Sequence, residues 1–190
     1  ELLLNSQTSP DKTAMILIEP ILGEGGYVPA PSAFLKKLRL LCEQYGILLA
    51  VDEMQSGVGR TGKLFAFEHA GVEPDILVFG SGLASGFPLS VVASRTELME
   101  AWKPGSHGST FGGSSLVPIA AALATLETLH EENLVENASH MGALLHNQLQ
   151  SVKDKYHEIG DLRGLGLMLA TEFTKRDGKP DMKTAMMVQH

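Results

Sequence analysis

The stretch Ile47-Leu48-Leu49-Ala50-Val51-Asp52-Glu53 decides the fold, because a short apolar run is followed at once by two carboxylates. A run of this length and composition predicts a buried strand that ends where the polar residues begin. Before it, residues 32–45 carry apolar side chains at helical spacing until Gly46, a typical helix stop. A helix that leads into a buried strand is the repeating unit of α/β sheets.

Further strands and helices extend this pattern in both directions. Apolar runs predict strands at residues 14–19, 75–79 and 89–93, and residues 64–70 predict a short helix that ends before Gly71. The alternation of strands and helices, with the loop lengths between them, favours a mostly parallel α/β sheet with crossover helices.

The second half of the chain is richer in helix. Residues 116–130 are apolar and rich in alanine, which predicts a core helix, and residues 132–156 predict a long amphipathic helix. Residues 162–173 predict strands, and residues 181–190 predict a further helix with Asp181 as a possible N-cap. The last pattern has no stop signal, so we expect the sequence to be a piece of a longer protein.

Composition makes several classes of function improbable. The chain has 190 residues, of which 44% are hydrophobic and 19% charged, as in globular proteins. Its formal net charge of −7, without a basic run, argues against nucleic-acid partners. No apolar run reaches the roughly 20 residues that span a bilayer, and no signal peptide is visible, so we expect no membrane and a location in the cytoplasm or an organelle matrix.

The cysteine and histidine content points to neither disulfide nor metal chemistry. The single cysteine, Cys42, cannot form an internal disulfide, which fits a reducing compartment. The histidines lack ligand spacing, and His140 and His146 are off a common helical face. We therefore expect no metal site.

Polar and glycine residues follow three of the predicted strands. Glu19 follows the first strand, Asp52 the second, and Gly80-Ser81-Gly82 the third. Ligands of open α/β sheets bind outside the carboxyl ends of the strands. One strand-end carboxylate often only caps the next turn, but three such positions with flanking glycines favour a ligand site.

Four blocks of the sequence, spanning about residues 14–115, resemble class III pyridoxal 5′-phosphate (PLP) aminotransferases in the same order. Among the members, the 4-aminobutyrate and the acetylornithine/ornithine aminotransferases are the most similar, the former slightly favoured. The segment Arg163-Gly164-Leu165-Gly166-Leu167-Met168 resembles the start of the family's small domain. The four blocks are Ile18-Glu19-Pro20-Ile21-Leu22-Gly23-Glu24-Gly25-Gly26, Val51-Asp52-Glu53-Met54-Gln55-Ser56-Gly57-Val58-Gly59-Arg60-Thr61-Gly62, Gly82-Leu83-Ala84-Ser85-Gly86-Phe87-Pro88-Leu89 after Pro74-Asp75-Ile76-Leu77-Val78-Phe79, and His107-Gly108-Ser109-Thr110-Phe111-Gly112-Gly113.

This resemblance implies a fold, a cofactor and a reaction. It implies the fold type I of PLP-dependent transferases, with residues 1–150 as part of the PLP-binding large domain and residues 151–190 as the start of a truncated C-terminal small domain. It also implies a homodimer that transfers an amino group from an ω-amino donor, of the 4-aminobutyrate or acetylornithine/ornithine type, to a 2-oxo acid.

The resemblance also assigns roles to individual residues. Asp52 pairs with the protonated pyridine nitrogen and so keeps the ring able to accept electrons. Gln55 donates to the phenolic oxygen of the cofactor, and Thr110 donates to its phosphate across the dimer interface. Glu24 resembles the carboxylate that makes room for the substrate carboxylate. For Glu19, which lies in the same motif, hydrogen bonding within the framework is at least as good an explanation.

One position departs from the family pattern. Ser81 lies 29 residues after Asp52 and 29 residues before Thr110, where the family has its catalytic Schiff-base lysine. A serine hydroxyl cannot form an imine, and it is a poor base for the proton shuttle that the lysine amine performs. We therefore expect weak or non-covalent PLP binding and an inactive chain. A second departure is Ser114-Ser115, where the family usually has Asn-Pro.

Several explanations of Ser81 stay open at the level of the sequence. The serine is an engineered substitution, a natural change in a silent family member, or a difference from an active full-length parent. Three functions also stay open: an aminotransferase, a catalytically silent PLP-fold binding or scaffold protein suggested by Ser81, and a relative similar to dialkylglycine decarboxylase, which shares the same motifs.

Overall fold

The computed structural model describes residues 2–108 and 115–189. They form an α/β fold with short 3₁₀ turns at Pro10–Lys12 and Ala66–Ala70. The helices are α1 (Leu2–Ser6), α2 (Ser32–Tyr45), α3 (Thr96–Glu100), α4 (Leu116–Glu131), α5 (Leu134–Lys153) and α6 (Met182–Gln189). The strands are β1 (Met15–Ile18), β2 (Ile21–Leu22), β3 (Val28–Pro29), β4 (Leu48–Asp52), β5 (Ile76–Phe79), β6 (Val91–Ser94), β7 (Ile159–Leu165) and β8 (Met168–Phe173).

The main sheet has the strand order β1-β4-β5-β6. β1 and β5 both pair with β4 in parallel, whereas β6 pairs with β5 antiparallel. The prediction of a mostly parallel α/β sheet is therefore confirmed, with one strand reversed. The connection of residues 80–90 contains no helix, and a parallel return needs a longer crossover, so the chain comes back antiparallel.

Helix α2 covers one face of this sheet and has the bounds that the sequence predicts. Its Leu35 and Cys42 are buried against Ile47 and Leu49 at the start of β4. Each fully buried aliphatic side chain of this kind stabilises the fold by about 1.5–3 kcal/mol. Gly46 ends the helix in the left-handed conformation, with φ of 66°, and its N–H returns to the carbonyl of Cys42.

A short antiparallel hairpin, β2–β3, was not predicted from the sequence. Each of its strands has only two residues, and the turn between them carries Glu24. A strand of two residues has no readable alternation of polar and apolar side chains, so the pattern could not reveal it.

The C-terminal elements close over the loop that follows β4. The predicted core helix and long amphipathic helix are present as α4 and α5, and residues 159–173 form the antiparallel hairpin β7–β8. Gly142 of α5 lies so close to Gly166, in the turn between β7 and β8, that a side chain at 142 would collide with the backbone of 166. The carboxylate of Asp181 accepts the N–H of Thr184 at 3.2 Å, as predicted for the N-cap of α6.

Candidate active site

The candidate site lies at the carboxyl ends of β4 and β5, which run side by side. Asp52 is the last residue of β4 and is partly buried. One of its carboxylate oxygens accepts the N–H of Met54 at 3.0 Å, which fixes the side chain at the strand end. The N–H of Glu53 donates to the carbonyl of Val78 at 2.7 Å and so continues the pairing with β5 beyond Asp52.

Gln55 and Glu24 meet above this edge of the sheet. The Gln55 Nε2 donates to Glu24 Oε1 at 2.9 Å, which joins the loop after β4 to the turn of the β2–β3 hairpin. The Gln55 amide also packs on Gly23, where an added Cβ would lie 2.6 Å from Oε1. Two residues separated by 31 positions thus form one polar pair.

Ser81 lies on the next strand end, directly after Gly80. The Met54 side chain packs on Gly80, where an added Cβ would lie 2.9 Å from the Met54 methyl carbon. Gly80 is buried, whereas Ser81 is exposed. The strand ends therefore bring residue 81 to the same edge of the sheet as Asp52, as the sequence predicts.

In the described ranges, no lysine forms an ion pair with Asp52 or Glu24. Lys63 lines a separate cleft of about 790 Å³ with residues of α4 and α5 such as Leu126 and Ser139. The other residue predicted to contact the cofactor, Thr110, lies outside the described residues.

Two acidic residues near the site serve the framework. Glu19 Oε2 accepts the N–H of Gly23 at 2.8 Å, which is a framework hydrogen bond of the kind anticipated for it. Glu53 is fully buried and accepts hydrogen bonds from the Ser56 hydroxyl at 2.5 Å and the Phe67 N–H at 2.8 Å. Burial raises the pKa of Glu53, although these donors oppose the effect. This burial could not be predicted from the sequence, because Glu53 follows the apolar run of β4 just as Asp52 does.

In the part of the chain that the structure describes, no three His, Cys, Asp or Glu side chains are grouped so that they could hold a metal ion. None of the helices described is both long enough and apolar enough to cross a bilayer.

Comparison with known proteins decides the family. The model of the family described as aminotransferase class III matches residues 1–189. The chain belongs to the class III aminotransferases. Members of this family depend on PLP. The sheet edge at Asp52 is the kind of place where open α/β sheets bind such ligands.

Relatives of this class III aminotransferase chain differ in what they do. It is 44% identical over 184 residues to the 4-aminobutyrate aminotransferase GabT of Escherichia coli, covering 95% of this chain and 43% of GabT. It is 45% identical over 174 residues to an alanine/serine racemase of Pyrococcus horikoshii, covering 90% of this chain and 36% of the racemase. The chain thus spans less than half the length of these curated relatives.

A solved structure shows the same fold. The acetylornithine aminotransferase from Elizabethkingia anophelis matches with a TM-score of 0.89 and 36% identity, over 98% of this chain and 45% of that one. The fold predicted for the chain, that of PLP-dependent aminotransferases, is therefore confirmed.

The described residues of this class III chain include polar groups that fit a PLP ring. The second carboxylate oxygen of Asp52 has no hydrogen-bond donor among the described residues, so it is free to face a cationic ring nitrogen. Gln55 uses one of its amide hydrogens on Glu24 and keeps the other for a ligand. Residue 81 carries a hydroxyl, which cannot form an imine with an aldehyde as an amine does.

Proposed function

We propose that the protein containing this chain is a PLP-dependent aminotransferase by descent, built for an ω-amino donor and a 2-oxo acid, and that Ser81 makes this chain inactive. The observation that carries the proposal is the position of Ser81, one residue beyond Gly80 at the strand edge where Asp52 ends β4. A hydroxyl there provides neither the imine-forming amine nor the base for proton transfer.

The remaining residues supply binding and orientation. When bound, PLP supplies an aromatic ring that accepts electrons from the substrate. The negative charge of Asp52 favours the protonated form of a ring nitrogen beside it. Gln55 orients the ring through its free amide hydrogen, and Thr110 donates to the phosphate across the interface of a homodimer. Glu24 lies on the substrate side of Gln55, where it accommodates the carboxylate of the donor.

The amino donor is of the 4-aminobutyrate or acetylornithine/ornithine type in this proposal. Support comes from the named activities of GabT and of the Elizabethkingia enzyme. The racemase relative, equally similar to the chain, handles alanine and serine by its name. A donor panel must therefore include α-amino acids together with ω-amino acids.

The test uses the full-length protein with PLP. We expect the wild type to bind PLP reversibly, so that dialysis removes it, and Asp52→Ala to weaken this binding. We expect no amino transfer by the wild type from any donor in the panel to 2-oxoglutarate, and measurable transfer by Ser81→Lys. Efficient transfer by the wild type would contradict the proposal, and so would a Ser81→Lys variant that binds PLP but transfers nothing.

A second function is favoured by the same serine. In a catalytically silent PLP-fold protein, the cofactor site serves binding or scaffolding. This second function predicts that Ser81→Lys attaches PLP but that no donor in the panel reacts, because the residues that bind the substrate have also diverged. The donor assay therefore separates the two functions.

The division of the chain at residues 150 and 151 into a large-domain part and the start of a small domain remains a prediction. Residues of β7 and β8 pack on the hairpin that carries Glu24, with Met168 buried against Ile21. This contact supports a functional link between the two parts, whatever their domain boundary.

A further inference from the structure

The turn that carries Glu24 has little support of its own. It joins β2 and β3, which pair over only two residues each. Gly26 and Tyr27, which lead from the turn into β3, both have positive φ, 107° and 53°. Isolated two-stranded hairpins are marginally stable at best, and positive φ is strained for tyrosine. Contacts from outside the hairpin must therefore hold Glu24 in place.

Arg163 of β7 makes such a contact. Its Nε donates to the carbonyl of Gly26 at 2.7 Å, across 137 positions of sequence. An added Cβ on Gly26 would lie 2.8 Å from Arg163 Nη2, so the guanidinium lies directly on the backbone of the turn. The absence of a side chain at residue 26 permits this approach.

Two carboxylates hold the Arg163 guanidinium through Nη1, while its Nε contacts the turn. Arg163 Nη1 donates to Asp161 Oδ2 at 2.9 Å and to Glu172 Oε2 at 2.6 Å. The hydrogen bonds that Arg163 donates to Asp161 and Glu172 raise its pKa, which keeps the cation charged. A planar fork can point Nε one way and Nη1 another at the same time, whereas a lysine ammonium offers a single point of charge.

The same hairpin also holds the loop that carries Gln55. The N–H of Leu167, in the turn between β7 and β8, donates to the carbonyl of Arg60 at 3.0 Å. Gly166 packs so tightly on Thr61 that a side chain there would collide with the Thr61 backbone. Glu24 and Gln55 therefore each depend on β7–β8, one through Arg163 and the other through the turn.

We propose that Arg163 is a positioning residue that fixes the turn of Glu24 so that its carboxylate stays in contact with the Gln55 amide. The importance of that contact for ligand binding rests on the proposed function. The mechanical part of the proposal, that Arg163 holds the turn in place, does not. Without the Nε donor, the turn at residues 23–26 opens more often, and the Glu24–Gln55 pair is lost in the open state.

The mechanical part is tested by hydrogen exchange with mass spectrometry on the full-length protein. The reporters are the amides of Gly26 and Tyr27, which donate to the carbonyl of Gly23. We expect them to exchange about tenfold faster in Arg163→Met and also in Arg163→Lys, which keeps the charge but loses the Nε donor.

Arg39→Met is the matched control for these variants. Arg39 is a similarly buried arginine, 16% exposed against 20% for Arg163, and it pairs with Asp75 instead of the turn. We expect exchange at Gly26 and Tyr27 to be unchanged in this variant. Unchanged exchange in both Arg163 variants, or equal acceleration in Arg39→Met, would overturn the proposal.

A double-mutant cycle tests the functional part through the dissociation constant of PLP. We expect Arg163→Met to weaken PLP binding by about tenfold in the wild type and to have almost no effect when Glu24 is already alanine. An equal loss in both backgrounds would show that Arg163 acts by another route and would overturn the role assigned to it. If the wild type binds no PLP, the proposed function fails. The exchange experiment still decides whether Arg163 holds the turn that carries Glu24.

Discussion

Asp75 accepts a 2.7 Å hydrogen bond from the guanidinium of Arg39, which lies 36 residues earlier on α2. The same carboxylate accepts the N–H of Leu49 in β4 at 2.8 Å and pairs with Arg95 after β6 at 3.2 Å. One side chain thus ties a helix and neighbouring strands together. Asp75 precedes β5, so this junction lies at the opposite end of the strand from Ser81.

Asp75→Asn tests this junction. We expect the variant to lose about 2 kcal/mol of unfolding free energy, because the largely buried Arg39 loses its buried carboxylate partner and keeps only the pair with the exposed Glu43. Urea unfolding of the full-length protein gives the value. Asp177→Asn, which removes an exposed pair with Lys179, is the control and should change stability by less than about 0.5 kcal/mol. Equal effects of the two substitutions would contradict the role of Asp75.

Glu53→Gln tests the buried carboxyl beside the site. Burial raises the folded-state pKa of Glu53, so its contribution to stability is full below the unfolded pKa and is lost as the pH rises through the folded pKa. We expect the stability of the wild type relative to Glu53→Gln to fall as the pH rises from the unfolded pKa of about 4 through the raised folded-state pKa. Unfolding free energies at a series of pH values measure this slope.

Asp75→Asn provides the control with the opposite slope. Burial alone would raise the pKa of Asp75, but the Leu49 N–H and the Arg39 guanidinium outweigh it and lower the pKa. Its contribution is therefore present above the unfolded pKa and lost as the pH falls through the folded one. If the stability of the wild type relative to Glu53→Gln rises with pH, as we expect relative to Asp75→Asn, the raised pKa assigned to Glu53 is refuted.

The parts of the fold that repeat a regular pattern could be predicted from the sequence. Helix α2 has apolar side chains at helical spacing, the strands β4 and β5 are short continuous apolar runs, and their ends carry glycine or carboxylate signals. The direction of β6 was not readable from its sequence, because Val91–Ser94 is a short apolar run like those of the parallel strands. The segment at residues 64–70, predicted as a short helix, contains only the 3₁₀ turn Ala66–Ala70.

The site was predictable in its strand-end residues but not in its cross-contacts. Asp52 and Ser81 could be placed together because carboxyl ends of adjacent parallel strands share an edge. The pairing of Gln55 with Glu24 and of Arg163 with Gly26 depends on loops folding back over long separations in sequence. Local patterns carry no information on such contacts.

Gly142→Ala tests the packing of α5 on the β7–β8 turn. Alanine is the better helix former by about 1 kcal/mol, so an exposed helix would gain stability. Here the new methyl group collides with the backbone of Gly166, and we expect a net loss of about 1–2 kcal/mol in thermal or urea unfolding. Ala143→Gly, at the exposed neighbouring position, reports the propensity alone. A Gly142→Ala variant with a higher unfolding free energy would show that the β7–β8 turn moves aside without loss of stability, against this prediction.

The covalent state of residue 81 tests the central claim most directly. Wild-type full-length protein and its Ser81→Lys variant are incubated with PLP, reduced with borohydride, digested and mapped by mass spectrometry. We predict that the variant carries the cofactor at residue 81 and that the wild type carries it on none of the lysines in residues 1–190. A wild-type chain with PLP fixed at one lysine and in full yield would contradict the account, because an amine would then do what Ser81 cannot.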